Sequence, residues 1–443
     1  MPKRGTQPIS GPVRLLLALL AVVATGTLLL MAPFSGLETP LAWNDALFFS
    51  VSALCVTGLA TEVPAESLSL VGKIILTLLV QLGGIGYIVL AVIVFQFLGR
   101  SISLTERIEL QDEIGLVSFG GVTALAKRVL GLVLGLELIG AILLMIAWRD
   151  HGSPGMVALY AAMTSVVSFC QAGFDLLTGS PYFEAGLPID AFTRTVMVSL
   201  IVLGGVGIPV VFELIRLNKN PRLSLHTRLT LLGTAGLVIG GAALLWMGET
   251  NPAIRGGSAV AQAGTAITQA AYSRTAGFAT FDLAQAQPAT ELTIVALMFV
   301  GSAAASTGGG IGVTTLLILL LGVLAYARRR ERITIWGRTI DSETFRRAGV
   351  ITTVSLLTVA GGTWLLTLTH NVELDVAFFE ATSAFTTTGL SLGFTTELNL
   401  FGQIVICLLM VGGRLGPLTL IFLLSGRADG KHLVRYPEEK VLL

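Results

Sequence analysis

Apolar runs long enough to cross a hydrocarbon core of about 30 Å, roughly 20 residues of helix, recur along the chain. They fall near 12–33, 72–98, 129–148, 192–215, 228–247, 291–327, 348–369 and 401–425. That pattern predicts eight membrane-spanning helices. Lys3, Arg4 and Arg14 flank the start of the first run, as in a signal peptide. The run is longer than a signal peptide's apolar region and has no convincing cleavage site, so it reads as a span. Between the spans of each pair sits a shorter apolar stretch of a dozen or so residues, such as 43–55 and 374–386. These are too short to cross. They are expected to re-enter the membrane from one side; amphipathic helices on the outer surface are the alternative.

Composition narrows the class. Of 443 residues, 53% are hydrophobic and 12% charged, half the charge of a typical soluble domain, and mean hydropathy is +0.82. A soluble enzyme, a disordered chain and a disulfide scaffold are excluded. The formal net charge of +1 suggests no nucleic-acid partner, and Cys55, Cys170 and Cys407 lie too far apart in sequence for a zinc motif. The charges are placed asymmetrically. The N-terminus, the loops near 99–128, 216–228 and 328–347, and the C-terminal tail hold 22 of the 28 Lys and Arg, against 10 acidic residues. By the positive-inside rule, both termini are expected in the cytoplasm and the short segments enter from outside.

Four short motifs repeat. Each re-entrant segment leads into a glycine followed by Leu or Phe: Val56-Thr57-Gly58-Leu59, Gln171-Ala172-Gly173-Phe174, Thr275-Ala276-Gly277-Phe278 and Thr387-Thr388-Gly389-Leu390. The four glycines recur at nearly even intervals along the chain. The flanks agree as well, since Ser52 to Gly58 parallels Ser383 to Gly389. Gly83-Gly84, Gly204-Gly205 and Gly412-Gly413 mark the later spans. The unit is span, re-entrant helix, extended loop, span, predicted over residues 1–112, 113–223, 224–343 and 344–443. The expected fold is an all-α integral membrane protein, with eight transmembrane helices as four parallel repeats around a pseudo-fourfold axis. Four loops then meet on that axis, where rings of backbone carbonyls can replace the hydration shell of a cation. Glycine accepts the backbone angles this needs, and the C-terminal ends of the short helices favour a cation.

The sixth run is too long. Its 37 residues would extend about 55 Å as continuous helix, and its centre reads Gly301-Ser302-Ala303-Ala304-Ala305-Ser306-Thr307-Gly308-Gly309-Gly310-Ile311-Gly312. Two half-helices, 291–300 and 313–327, are predicted, joined by a loop on the axis below the four glycines. A passive kink is the alternative, and a phosphate loop is excluded because no Gly-Lys-Ser/Thr follows. Arg414 lies within the eighth run, where a charge needs a polar partner. It is expected to bond the carbonyls of the 301–312 loop and to set an electrostatic barrier. Arg274 adjoins the third loop, either bonding pore-helix carbonyls from behind or repelling ions. Glu137, alone within a span, reads as a helix–helix hydrogen-bonding group. The four histidines are expected in loops or the tail, and Asn44, Asp45, Asn371, Glu373 and Asp375 at the outer rim.

These motifs resemble the superfamily of bacterial Trk and Ktr potassium transporters and their plant and fungal relatives, over essentially the whole chain. Eight spans without an extra N-terminal pair, and the tail at 435–442, are most similar to the KtrB membrane subunit. The resemblance implies potassium uptake across the bacterial inner membrane, with K⁺ held by backbone carbonyls of Val56, Thr57, Gly58, Gln171, Ala172, Gly173, Thr275, Ala276, Gly277, Thr387, Thr388 and Gly389. It implies a gate formed by Gly301, Ser302, Ser306, Thr307, Gly308, Gly309, Gly310, Gly312 and Arg414. It further implies no cofactor within the chain, Na⁺ as a coupled or activating ion, a homodimer in membrane lipid, and a cytosolic RCK-type KtrA ring that binds ATP or ADP. Glycine at 58 goes with potassium selectivity, whereas serine there goes with sodium permeation. Two positions depart from the family pattern: Gln171 where Asn is common, with its side chain expected behind the filter, and Gly312 where Lys is common. No HExxH, GxSxG, nucleotide loop or intramembrane acid–base pair argues for an enzyme. A sodium-permeable relative is the alternative within transport.

Overall fold

The computed structural model describes residues 11–85, 122–183, 186–188, 190–217, 222–330 and 332–417. Residues 86–98 of the second run, 418–425 of the eighth and the repeat limit at 112/113 lie outside the described residues. Among the described residues the regular structure is helical apart from one antiparallel hairpin, Ile333–Ile335 with Arg338–Ile340, in which Ile333 pairs with Ile340.

Leaving aside the four-residue helices Pro64–Ser67 and Pro252–Arg255, the helices follow a recurring order. In the first repeat they are α1 (Gly11–Leu30), α2 (Trp43–Leu54) and α3 (Leu70–Ile85). The second has α4 (Val122–Ala147), α5 (Pro154–Cys170), α6 (Ala191–Gly205) and α7 (Ile208–Ile215). The third has α8 (Leu225–Gly248), α9 (Ala259–Thr275), α10 (Pro288–Val300) and α11 (Val313–Ala327), and the fourth α12 (Ser342–Thr369), α13 (Leu374–Phe385) and α14 (Leu400–Leu415). Local chemistry sets several starts. Asp190, Ser224, Ser258, Asp341 and Asn399 each cap a helix by accepting a backbone N–H, and Pro154, Pro209 and Pro288 occupy first-turn positions where no N–H is missed. The repeat limit at 343/344 falls within the first turn of α12.

Packing within each repeat places the short helix between the incoming and outgoing ones. Packing between repeats is cyclic. Helix α3 lies on α5, α6 on α9, α10 on α13, and α14 returns to α2. The short helices are therefore central, and Phe48, Phe49, Phe379 and Phe385 on them are buried. Outward-facing Leu138, Ile239, Met247, Leu357 and Leu408 are exposed. An apolar exterior of that extent is a surface for lipid.

Several expectations change. The run at 192–215 is not one straight span: α6 and α7 are bent by 104° at Val206-Gly207. Gly207 has φ +90° and Pro209 follows in the first turn of α7, so the helix cannot run through. By length and composition, three helices among the described residues can cross a membrane, Ala126–Ala147, Leu225–Gly248 and Ser342–Thr369, or four if the bent pair counts as one. The remaining apolar helices among the described residues are shorter, at 10–17 residues; in the eighth run, α14 stops at Leu415, where Gly416 has φ +84°. The re-entrant helices α5 and α9 have 17 residues, longer than a dozen. His226 lies in the first turn of α8, not in a loop.

Candidate functional site

The four short helices end at Leu54, Cys170, Thr275 and Phe385, each at or just before its motif. Each chain then turns back onto its helix end. The N–H groups of Thr57, Ala172 and Thr388 donate to the Ser52, Val167 and Ser383 carbonyls at 2.8–2.9 Å, and in the third repeat Gly277 donates to Tyr272 at 3.3 Å. The motif glycines all have positive φ: +97° at Gly58, +61° at Gly173, +72° at Gly277 and +92° at Gly389. A Cβ on Gly58 would strike the Ala172 carbonyl; one on Gly173 would lie 2.6 Å from Gly277 Cα. At Gly277 it would strike the Thr388 carbonyl, and at Gly389 the Thr57 carbonyl. The loops thus touch in the order first, second, third, fourth, first. All twelve motif residues named from the sequence, from Val56 to Gly389, fall in or beside this ring.

The loops are braced differently. Gly58 donates to Ser52 Oγ at 3.1 Å and Gly389 to Ser383 Oγ at 3.0 Å. The second and third loops have Val167 and Ala271 at those positions. There Gln171, 1% exposed, donates from Nε2 to the Ile201 carbonyl at 2.7 Å, and its Oε1 accepts from Thr275 Oγ1 and Ser302 Oγ. Its side chain lies behind the loop, as expected. Glu380, fully buried in α13, accepts from Ser391 Oγ, Thr395 Oγ1 and the Leu392 N–H and so fixes the chain after the fourth loop. This brace was missed in the sequence, although a carboxylate inside the apolar stretch 374–386 was the available signal. The Thr57 and Thr387 hydroxyls are buried with no protein partner, so they remain available to an ion or water.

Residues 301–312 form no helix between α10 and α11, and they lie against the ring. Gly309 packs on the Thr386 carbonyl and Thr387 Oγ1. Thr307 Oγ1 donates to the Phe169 carbonyl at 3.1 Å, one of the carbonyls left unpaired at the end of α5. Ser302 N–H donates to the Gly309 carbonyl at 3.0 Å, and Ser306 Oγ to the Gly308 carbonyl at 3.4 Å. Gly301, Gly310 and Gly312 have φ of +68°, +89° and +94°. Arg414 Nη1 donates to the Thr307 carbonyl at 2.7 Å, and Nη2 to the Gly83 carbonyl in the first repeat. The first partner is the one the sequence suggested; the second is not. Arg274, 3% exposed, donates from Nε and Nη2 to the Gly301 carbonyl at 3.2 and 3.1 Å. It therefore holds the interrupted segment, not the carbonyls of its own helix.

Other polar residues keep local roles. Gln81 Nε2 donates to Glu137 at 2.9 Å across two helices. In the first turn of α2, Asn44 Nδ2 reaches Asp45 and Gln403, and Asp45 also accepts from Thr61. His370 Nε2 accepts the Asn399 N–H at 3.1 Å. Among the described residues no cluster of His, Cys, Asp and Glu could hold a metal ion.

A ring of backbone loops inside an apolar bundle, with one arginine beneath it, is the framework of a membrane cation transport protein, and comparison with known proteins agrees. The family described as TrkH, cation transport protein, matches residues 17–431, and the chain belongs to it. It is 33% identical over 425 residues to the Ktr system potassium uptake protein B of Bacillus subtilis (strain 168), covering 95% of this chain and 93% of that protein. The protein of the same description from Vibrio alginolyticus is 32% identical, covering 97% and 94%. The potassium/sodium uptake protein NtpJ of Enterococcus hirae is 31% identical, covering 100% and 99%. The crystal structure of the potassium transporter TrkH from Vibrio parahaemolyticus shares the fold, with a TM-score of 0.70 at 20% identity over 95% of this chain and 86% of that one. Cation transport proteins are not a class of enzyme, and the chain is a multi-pass membrane protein.

Proposed function

We propose that this chain takes up potassium across a bacterial inner membrane, through a filter made by the four loops. The observation that carries this reading is the closed contact ring of Gly58, Gly173, Gly277 and Gly389, each at positive φ and pressed against the next loop. Such a ring presents backbone carbonyls to a desolvated cation, and the helix ends behind it contribute negative potential. Residues 301–312 and Arg414 form the barrier below: the guanidinium ties the segment to the first repeat and adds positive charge on the ion's path. Both termini face the cytoplasm, and all four repeats share one orientation. Names of relatives support K⁺ as cargo and a Ktr-type assembly. On this reading the chain works as a homodimer with a cytosolic RCK-type ring that binds ATP or ADP, and Na⁺ couples to or activates uptake. The name of the Enterococcus hirae relative keeps a sodium-permeable transporter as the second reading.

The test is growth of cells that lack potassium uptake systems, at low potassium, with and without the soluble partner. Rescue is expected. In Gly58→Ser the added Cβ must displace the Ala172 carbonyl, so K⁺/Na⁺ preference is expected to fall. No rescue in either condition overturns potassium uptake; sodium uptake of equal rate in the parent favours the second reading.

A further inference from the structure

Three buried side chains join two filter loops to the segment below them. Gln171 Oε1, Thr275 Oγ1 and Ser302 Oγ form a triangle in which Ser302 is 2.9 Å from Gln171 and 2.7 Å from Thr275, and Thr275 bonds Gln171. Gln171 belongs to the second loop, Thr275 to the third, and Ser302 to the interrupted segment. All three are 1% exposed or less. Two hydroxyl protons serve three oxygens, so no member is satisfied independently of the others. Gly308 and Gly205 close over the triangle: a Cβ on Gly308 would lie 2.7 Å from Thr275 Oγ1 and 2.8 Å from Ser302 Oγ, and one on Gly205 would lie 2.6 Å from Gln171 Nε2. The site has no room for a side chain or a bridging group.

The contrast with the other two loops gives the triangle its meaning. Gly58 and Gly389 are held by serines of their own helices, Ser52 and Ser383, neither of which bonds to residues 301–312. Gln171 and Thr275 have no such brace and share one with Ser302. Thr307 also holds the end of α5 through the Phe169 carbonyl.

We propose that Gln171 and Thr275 are positioning residues through which the interrupted segment sets the geometry of the second and third filter loops, so that ion selection depends on the position of the gate. Displacing the segment withdraws Ser302 and Thr307 together. The Gln171 carboxamide then loses one of its two hydroxyl donors, and the second and third loops lose a hydrogen-bonded brace, while the first and fourth, the latter touched by Gly309 through packing alone, keep the bonds to their own serines. A closed segment therefore holds a selective filter, and a displaced one holds a looser filter. This rests on the potassium-uptake reading above.

The experiment measures K⁺ uptake and its inhibition by Na⁺ in cells lacking other potassium uptake systems, for the full chain with its soluble partner. Ser302→Ala is expected to lower K⁺/Na⁺ preference about fivefold to tenfold, the scale of one hydrogen bond, and Ser302→Thr, which keeps the hydroxyl, to restore it. Gln171→Asn, with a shorter carboxamide, is expected to shift the preference in the same direction, and the Gln171→Asn/Ser302→Ala pair by less than the product of the two. Uptake in Ser302→Ala with unchanged preference, whatever its maximal rate, overturns the coupling and leaves potassium uptake standing. Independent, multiplying effects in the pair also overturn it. A parent chain without uptake overturns both.

Discussion

The second and third repeats both break their outgoing helices, and the two breaks differ. In the second repeat only Val206 and Gly207 separate α6 from α7, and the helix axis turns by 104°. In the third, the whole of 301–312 separates α10 from α11. Each second half begins after a glycine at positive φ, Gly207 at +90° and Gly312 at +94°. A short break gives a bend; a long one made of small residues gives a segment able to fill the space under the ring of loops.

The two breaks also complete each other. A bend leaves carbonyls and N–H groups without their helical partners, and at membrane depth such groups must be satisfied within the protein. Here the Gly204 and Gly205 carbonyls accept from Thr307 and Ala303 at 3.3 and 2.9 Å, while the Ile208 N–H donates to the Ala305 carbonyl at 3.1 Å. The bend in one repeat is the docking edge for the loop of the next.

Four changes separate the role of the loop from that of the bend. The largest effect is expected from deleting residues 303–307, which removes the loop and leaves the bend unanswered. Maximal K⁺ flux should rise about tenfold, a barrier lowered by about 1.4 kcal/mol, with Arg414→Ala acting in the same direction. Unchanged or lower flux at equal surface expression removes the barrier role. Next comes Gly207→Val. A Cβ there would lie 2.7 Å from the Ala304 carbonyl, at a φ that a β-branched residue resists. Thermal unfolding of the purified protein should register a loss of about 1–3 kcal/mol; stability equal to the parent would show that the bend is not glycine-dependent. The smallest effect is expected from Pro209→Ala. The first turn of α7 needs no proline to form, so the change should stay within about 0.5 kcal/mol, and a larger loss would make proline, not glycine, the cause of the bend.

These regions also differ in how plainly the sequence announces them. The break at 301–312 is visible because the run from 291 to 327 is too long for one crossing and its centre is glycine-rich. The bend at 206–207 hides in the run 192–215, whose length satisfies a single span. Gly207 and Pro209, so close together, were the signal, and hydropathy outweighed it. The ring glycines stand out because they recur at nearly even intervals. The brace shared by the second and third loops does not recur: Gln171 and Ser302 come from different repeats, far apart in sequence, and such contacts leave no period. Ser52 and Ser383 were visible as matching flanks, yet their hydrogen bonds to Gly58 and Gly389 appear only once the loops fold back. Arg414 could be expected to need a polar partner near 301–312, but its reach to Gly83 depends on the closure of the fourth repeat against the first.

Through that reach, one guanidinium from the fourth repeat joins the first repeat to a segment of the third. The space beneath the ring of four loops therefore holds a single segment, tied by the unlike arginines Arg274 and Arg414. A tetramer of identical subunits would have to place four such segments there, and the repeated guanidiniums would repel one another. Linking the repeats in a single polypeptide frees each copy to mutate separately. The upper ring stays regular while the lower plug is built once.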